Sequence, residues 1–369
     1  MIKKTAVSIL ILLIAFSVIV RGQTKTPRPP NSYGKELLQF QSLIHKYFYD
    51  SASGFYKEVP EPEPDHKPYS YLWPLCAMLQ ANHEIEAAGF GENLVDPTLK
   101  IIDDYYDPSA PAPGYASYIM KLGGGDRFYD DNQWIGITAM DRYQSKKIKS
   151  DLELGKLIYR YMMTGYDTVL SGGIYWQENK KISKNTCSNG PGIILALQLY
   201  QSTREKPYLD TALMLYQWTN EKLQAPNKLF FDNISTTGNR IGRRQYSYNT
   251  GTMLQSNIYL FEITGNKKYL NEAITIADSA LTHFYSDRRF KDNYWFNAVL
   301  LRGYEHLLKH HSDKKYIRAF QQCLDETLTN NRNEAGLFKS RNGVQNLVAH
   351  GGMLEILARF ARLEKQKLL

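Results

Sequence analysis

The chain has 369 residues, 43% of them hydrophobic, and no low-complexity bulk, which excludes a disordered or fibrous protein and allows one large core. Its formal charge of +8 is too mild and too scattered to indicate a nucleic-acid partner, so Lys180, Lys181, Lys184, Arg243 and Arg244 are read as solvated rather than as a polymer-binding patch. Cys76, Cys187 and Cys323 are widely separated and share no metal-ligand spacing; Cys76 and Cys323 fall on apolar helical stripes and are read as buried thiols.

The N-terminus has the form of an export signal. Lys3 and Lys4 precede an apolar run from Ala6 to Val20, and Gly22 offers a small residue for cleavage. The run is too short to favour a membrane span, and no cysteine follows it to carry a lipid anchor. Residues 1–22 are thus expected to be a signal peptide, residues 23–34 a Pro-bearing leader, and residues 35–369 a single domain. Losing Lys3, Lys4 and Arg21 lowers the charge by three, from +8 to +5. The expectation is an exported monomer, periplasmic or secreted, without a lipid anchor and without membrane contact once the signal is removed.

Helical periodicity then recurs along the whole mature chain. Leu37, Phe40, Ile44 and Phe48 mark a first helix, Leu72, Leu75, Cys76 and Leu79 a second, and Leu99, Ile102 and Tyr106 a third. A fourth begins at Asp130-Asp131 and carries Trp134, Ile137 and Met140. Eight more follow, on Leu154 to Tyr161, Ile193 to Tyr200, Leu209 to Tyr216, Leu254 to Phe261, Leu270 to Leu281, Phe296 to Leu307, Ile317 to Leu324 and Met353 to Phe360. Twelve helices with almost no strand signal predict an all-α chain.

The connections alternate between short and long. Even helices lead to odd ones through brief polar links such as Gln144 to Ser150 and Thr264 to Lys268. Odd helices lead to even ones through long links rich in glycine and aromatics, including Asp107 to Tyr129, Gly165 to Asn189 and Ala225 to Tyr246. In an up-down array the long links all emerge on one face, where a binding site is most readily built. The hairpin starts at Pro207, Lys268 and Lys315 are 61 and then 47 residues apart, whereas solenoid repeats hold a nearly fixed period. The prediction is therefore a closed (α/α)6 barrel of six helical hairpins.

The segment Arg127-Phe128-Tyr129-Asp130-Asp131-Asn132-Gln133-Trp134 places two adjacent carboxylates among aromatics on the long-loop face. One reading is a capping box, with Asp130 as cap and Gln133 three residues on. The other is chemistry. A retaining glycosidase needs two carboxyl groups about 5 Å apart, one to attack the anomeric carbon and one to protonate the leaving oxygen. The helix start favours an ionised nucleophile, and burial raises the pKa of the partner. The other long loops repeat a vocabulary of aromatics and amides suited to a sugar groove: Tyr71 and Trp73, Tyr175 and Trp176, Asn185 and Asn189, Tyr248 and Asn249, and Trp295. With Tyr129, Asn132 and Trp134 they form the candidate substrate-binding set. No histidine has a nucleophile or acid beside it at a recognisable spacing.

In order, Tyr129-Asp130-Asp131-Asn132, Gly172-Gly173-Ile174-Tyr175-Trp176, Asn185 to Gly190, Tyr248-Asn249-Thr250-Gly251 and Trp295 resemble glycoside hydrolase family 76. This is a family of bacterial endo-α-1,6-mannanases and related fungal cell-wall transglycosylases. The resemblance spans the mature chain and implies an (α/α)6 barrel, an α-mannan-like polysaccharide or oligosaccharide as partner, and retention, with Asp130 as nucleophile and Asp131 as general acid/base. It implies no metal and no cofactor. The chain departs from the family at Ile135, where members often carry an aromatic, which leaves the substrate contact beside Trp134 open. The competing readings are a polysaccharide lyase or inverting hydrolase on the same toroid, or a glycan-binding protein without catalysis.

Overall fold

A computed structural model describes residues 32–63, 65–339 and 345–369; the expected signal peptide and nearly all of the leader lie outside the described residues. Twelve α-helices are present among them: α1 (Tyr33–Phe48), α2 (Leu72–Ala88), α3 (Val95–Ile102), α4 (Tyr129–Lys146), α5 (Lys149–Met163), α6 (Thr186–Thr203), α7 (Lys206–Leu223), α8 (Ser247–Thr264), α9 (Lys267–Phe284), α10 (Tyr294–Leu308), α11 (Lys315–Asn330) and α12 (Leu347–Lys365). The leader was expected to reach residue 34, yet Tyr33 and Gly34 are already helical. Ser32 caps their N-terminus by accepting from Lys35 N–H, and the buried Tyr33 hydroxyl donates to Asp325 at 2.6 Å.

The even helices form a closed ring. Each packs against the next, α2 to α4 to α6 to α8 to α10 to α12, and α12 returns to α2. The odd helices lie outside, each against an inner partner. Residue patterning explains the division. In α6 and α8 almost every position through the first four turns is buried, as befits a helix surrounded by others, whereas α1, α9 and α11 bury one stripe and leave the rest wet. Close approach of the inner helices relies on glycine: a Cβ on Gly251 would meet the α10 backbone at Leu300, 2.8 Å away, and one on Gly352 would collide with the backbone of Trp295.

Strand content exceeds what the periodicity suggests. Ser183–Asn185, Phe231–Ser235 and Ile241–Gln245 make a three-stranded antiparallel sheet over the long-loop face. The hairpin turns at Gly238 and Asn239, both at positive φ, which suits a tight two-strand connection.

Two buried cations fix the long loops in place. Contrary to the solvated position its sequence context suggests, Lys184 is wholly buried, and its ammonium donates to Asp167 Oδ1 at 2.6 Å and to the carbonyls of Val169 and Gly172. It thereby holds a segment in which Leu170, Ser171, Gly172 and Gly173 all have positive φ. Arg127 does the same for the preceding loop, donating to the carbonyls of Ser109, Ala110 and Ala112 and to Glu178 at 2.6 Å. The carbonyls of Gly172, Ser109, Ala110 and Ala112 accept no backbone hydrogen bond among the described residues, and the cations satisfy them, as a loop this close to the core requires.

Candidate active site

Asp130 and Asp131 are the second and third residues of α4. The capping-box alternative is not realised: the N-cap is Phe128, with no side-chain cap, and Gln133 donates instead to the carbonyl of Ser188 at 2.7 Å. The pair therefore sits at the positive end of the helix without being spent on it. Among the described residues neither carboxylate forms an ion pair, and Asp130 Oδ1 is buried without a hydrogen-bond partner.

The surroundings separate the two acids. Burial raises the Asp130 carboxyl to about 6, against the pull of the Cys187 thiol, the backbone N–H groups of Asp130 and Asp131 and the Trp176 indole. Burial also lifts Asp131, and the adjacent Asp130 charge lifts it further, well above the usual carboxylate range. Asp130 is thus the carboxylate that ionises first, and Asp131 keeps its proton. A third acid, Asp232 from the sheet, is raised by burial despite a hydrogen bond from Asn233.

The second residue of each inner helix lines the mouth of the barrel: Trp73, Asp130, Cys187, Tyr248, Trp295 and Val348. Several members of this ring touch one another. Cys187 faces both Asp130 and Tyr248, Tyr248 and Trp295 have ring centroids 6.0 Å apart, and Trp295 meets Trp73 edge-on at 5.7 Å. Cys187 and Asp232 were not assigned to the site from sequence. Cys187 was legible in principle, because it occupies in α6 the place Asp130 occupies in α4.

Of the expected substrate-binding residues, Trp176 at 39% and Tyr71 at 43% exposure present open aromatic surface, and Trp73 is half-buried at the rim. Tyr248 stacks on Phe296 at 4.0 Å with its hydroxyl side towards Cys187. Asn249 is buried beside Asp232. The other seven are buried, and their side chains are engaged within the protein. Tyr129 stacks on Tyr161 at 5.1 Å in the core. Trp134 and Trp295 pack edge-to-face at 5.2 Å across the barrel axis, and the Trp295 indole donates to Gln80. Asn132 accepts from Tyr115 N–H at 2.7 Å and donates to the carbonyls of Tyr115 and Phe128; Asn189 repeats this with Ile174 and the carbonyl of Asn185. Tyr175 is buried against Lys184 and donates to Asp167. Asn185 is likewise buried, as a strand residue whose amide oxygen accepts from Ser183. Ile135 is wholly buried, so its side chain packs in the core and leaves no face for a sugar. Cys76 is a buried thiol donating to the Asp131 carbonyl, while Cys323 is only half-buried.

The family model for glycosyl hydrolase family 76 matches residues 41–333. A mannan endo-1,6-alpha-mannosidase of Candida albicans is 27% identical over 226 residues, 54% of this chain and 49% of that protein. A putative mannan endo-1,6-alpha-mannosidase of Schizosaccharomyces pombe is 26% identical over 42% of this chain and 39% of its own length. The chain thus spans half or less of the length of the curated relatives it matches. Among solved structures, a family 76 mannosidase of Bacteroides thetaiotaomicron superposes with a TM-score of 0.80 at 25% identity, over 91% of this chain and 99% of that one. An inactive variant of an alpha-1,6-mannanase from a Salegentibacter species, with two aspartates adjacent in its sequence changed to asparagine, is solved in complex with alpha-1,6-mannotriose. It superposes with a TM-score of 0.75 at 22% identity, over 89% of this chain and 99% of that one.

Proposed function

The chain belongs to glycosyl hydrolase family 76, and from that premise we propose that it cleaves α-1,6-mannosidic bonds in mannan with retention of configuration, using Asp130 as nucleophile and Asp131 as general acid/base. The observation that carries this reading is the pair itself: adjacent carboxyl groups at the loop end of the barrel, unpaired by any cation among the described residues, with Asp130 raised only to about 6 and Asp131 well beyond it.

In the first step Asp130 attacks the anomeric carbon as the glycosidic C–O bond breaks, and the Asp131 proton passes to the departing oxygen. In the second, Asp131 takes a proton from water, whose oxygen attacks the same carbon and releases Asp130. The helix start stabilises the carboxylate on Asp130 before attack and after release. Trp176 and Tyr71 supply exposed ring faces for sugar stacking. The bound mannotriose in the Salegentibacter relative supports an oligosaccharide of this class as ligand.

The apolar run from Ala6 to Val20 supports action outside the cytoplasm, periplasmic or secreted, which N-terminal sequencing of the mature protein checks. Hydrolysis of linear α-1,6-mannan by the parent, Asp130→Asn and Asp131→Asn tests the chemistry. Both variants are expected to be severely impaired, and undiminished turnover by either removes the assignment.

A further inference from the structure

The opposite end of the barrel carries a second constellation that the glycosidase chemistry does not use. Glu262 lies in the last turn of α8, His306 in the last turn of α10, and His310 in the turn that follows. Four residues apart, the two imidazoles share one face, and both direct Nε2 at the same oxygen, Glu262 Oε1, at 2.8 Å each. All three ligand atoms lie within 4.8 Å of one another. Sequence spacing concealed the group, because the glutamate comes from a different helix.

We propose that Glu262, His306 and His310 bind a divalent transition-metal ion of the zinc class, tying α8 to α10 at the hairpin end of the barrel. Two imidazole nitrogens and one carboxylate oxygen are a three-ligand set that zinc accepts, leaving a fourth position for water. Ligand bonds near 2.0–2.2 Å place tetrahedral ligand atoms roughly 3.3 Å apart, so to admit the ion the 2.8 Å contacts open by about half an ångström and the two imidazole nitrogens, which lie within 4.8 Å of each other, settle to the same spacing. Metal binding uses the unprotonated imidazoles and the ionised carboxylate, so it is favoured as pH rises towards neutral.

The local charges leave room for a cation. Arg302 is matched by Asp141, and Arg359 and Arg362 by Glu84 and Glu305. Lys309 sits at an exposed position, and the ion-pair partners of Glu262 are the two imidazoles. Glu262 and His306 border an open depression of about 480 Å³ and His310 is exposed beside them, which gives an ion access from solvent. A metal here acts on stability and not on sugar chemistry, since the aspartate pair is at the other end of α4; the proposal does not depend on the glycosidase reading.

The test is calorimetric titration of tag-free, chelator-stripped protein with zinc chloride near neutral pH, alongside thermal melting. The expected result is one zinc per chain, weakened by roughly 10- to 100-fold or lost in His310→Ala and in Glu262→Gln. At about 100 times the dissociation constant, zinc raises the melting temperature of the parent by a few degrees, and of neither variant. Because His306 is buried, the two exposed positions carry the test. Cobalt(II) in place of zinc should give visible absorption bands that His310→Ala removes. Absence of stoichiometric binding in the parent, binding unchanged in His310→Ala, or loss of binding in Cys323→Ser overturns the assignment.

Discussion

The two ends of the barrel axis both bury carboxylates, and they treat them in opposite ways. At the hairpin end, Asp141 on α4 meets Arg302 on α10 across the ring at 2.7 Å. Arg359 on α12 gathers Glu355, Glu305 and Glu84, and Arg362 adds to the last two. Burial pushes Glu84 up, but the two arginines outweigh it and hold the carboxyl at about 2; in Glu355, wholly enclosed, burial wins over Arg359. At the loop end, Asp130 and Asp131 have no such partners among the described residues, and both are raised. Between the ends, Trp134 and Trp295 close the axis. Compensated acids hold the helices together, whereas uncompensated acids store a proton and a charge in an unfavourable place, which is the condition for reactivity.

Breaking each end separates these roles. The largest effect is expected at the loop end: Asp131→Asn should lower hydrolysis of mannan by about 10²–10⁴-fold, and Asp130→Asn by at least as much. With an aryl α-mannoside carrying a good leaving group, Asp131→Asn should lose far less in the glycosylation step, because little protonation is needed there, while Asp130→Asn stays inactive. Equal losses on both substrates would contradict the division of labour.

At the hairpin end the expected loss is of stability. Arg359→Met leaves Glu84, Glu305 and Glu355 buried without their common partner, at a cost of about 3–5 kcal/mol in denaturant unfolding, with turnover per folded molecule retained. The sign reverses for the loop-end acids. Asp130 is raised from 3.8 to about 6, so its contribution to stability is present below its unfolded pKa and is lost as pH rises through about 6. At neutral pH, Asp130→Asn should therefore stabilise the fold, by about 1–3 kcal/mol. Glu84 is lowered from 4.5 to about 2, so its contribution is present above its unfolded pKa and is lost as pH falls towards 2. Glu84→Gln should flatten that acid limb of the stability curve. If both substitutions moved stability in the same direction at pH 7, the contrast between the ends would fail.

Activity should follow Asp130 as well. It needs the ionised carboxylate, so kcat/KM is expected to fall on the acid side of about pH 6. The smallest effect concerns the loops. Lys184→Met strands the carbonyl of Gly172 and removes a second donor from that of Val169, at a cost of about 1–3 kcal/mol where the Gly172 carbonyl stays dry. It should show first as faster proteolysis of the 164–185 segment and a raised KM.

Much of this organisation was legible in the chain. The apolar periods located all twelve helices, and the alternation of short and long links placed six loops on one face, because helix length and connection length are local properties. The roles of single polar residues were less legible. Asn132 and Asn189 looked like sugar ligands, but each stands fourth in its helix and bonds the loop arriving beneath it, a geometry that exists only once the loop folds back. Lys184 looked solvated because its four acceptors are irregular backbone and a single carboxylate, which leave no pattern in sequence. The small sheet was missed because Phe231–Ser235 and Ile241–Gln245 are short and mostly half-exposed, without clean alternation. Cys187 and Asp232 join the site through the ring geometry and the sheet, neither of which the helical period encodes.

Proton NMR of the first products released from linear α-1,6-mannan tests the central claim most directly. A paired-carboxylate mechanism with Asp130 as nucleophile predicts that the α-anomer forms first and the β-anomer grows in only by mutarotation. Initial appearance of the β-anomer, or of an unsaturated sugar, would contradict it.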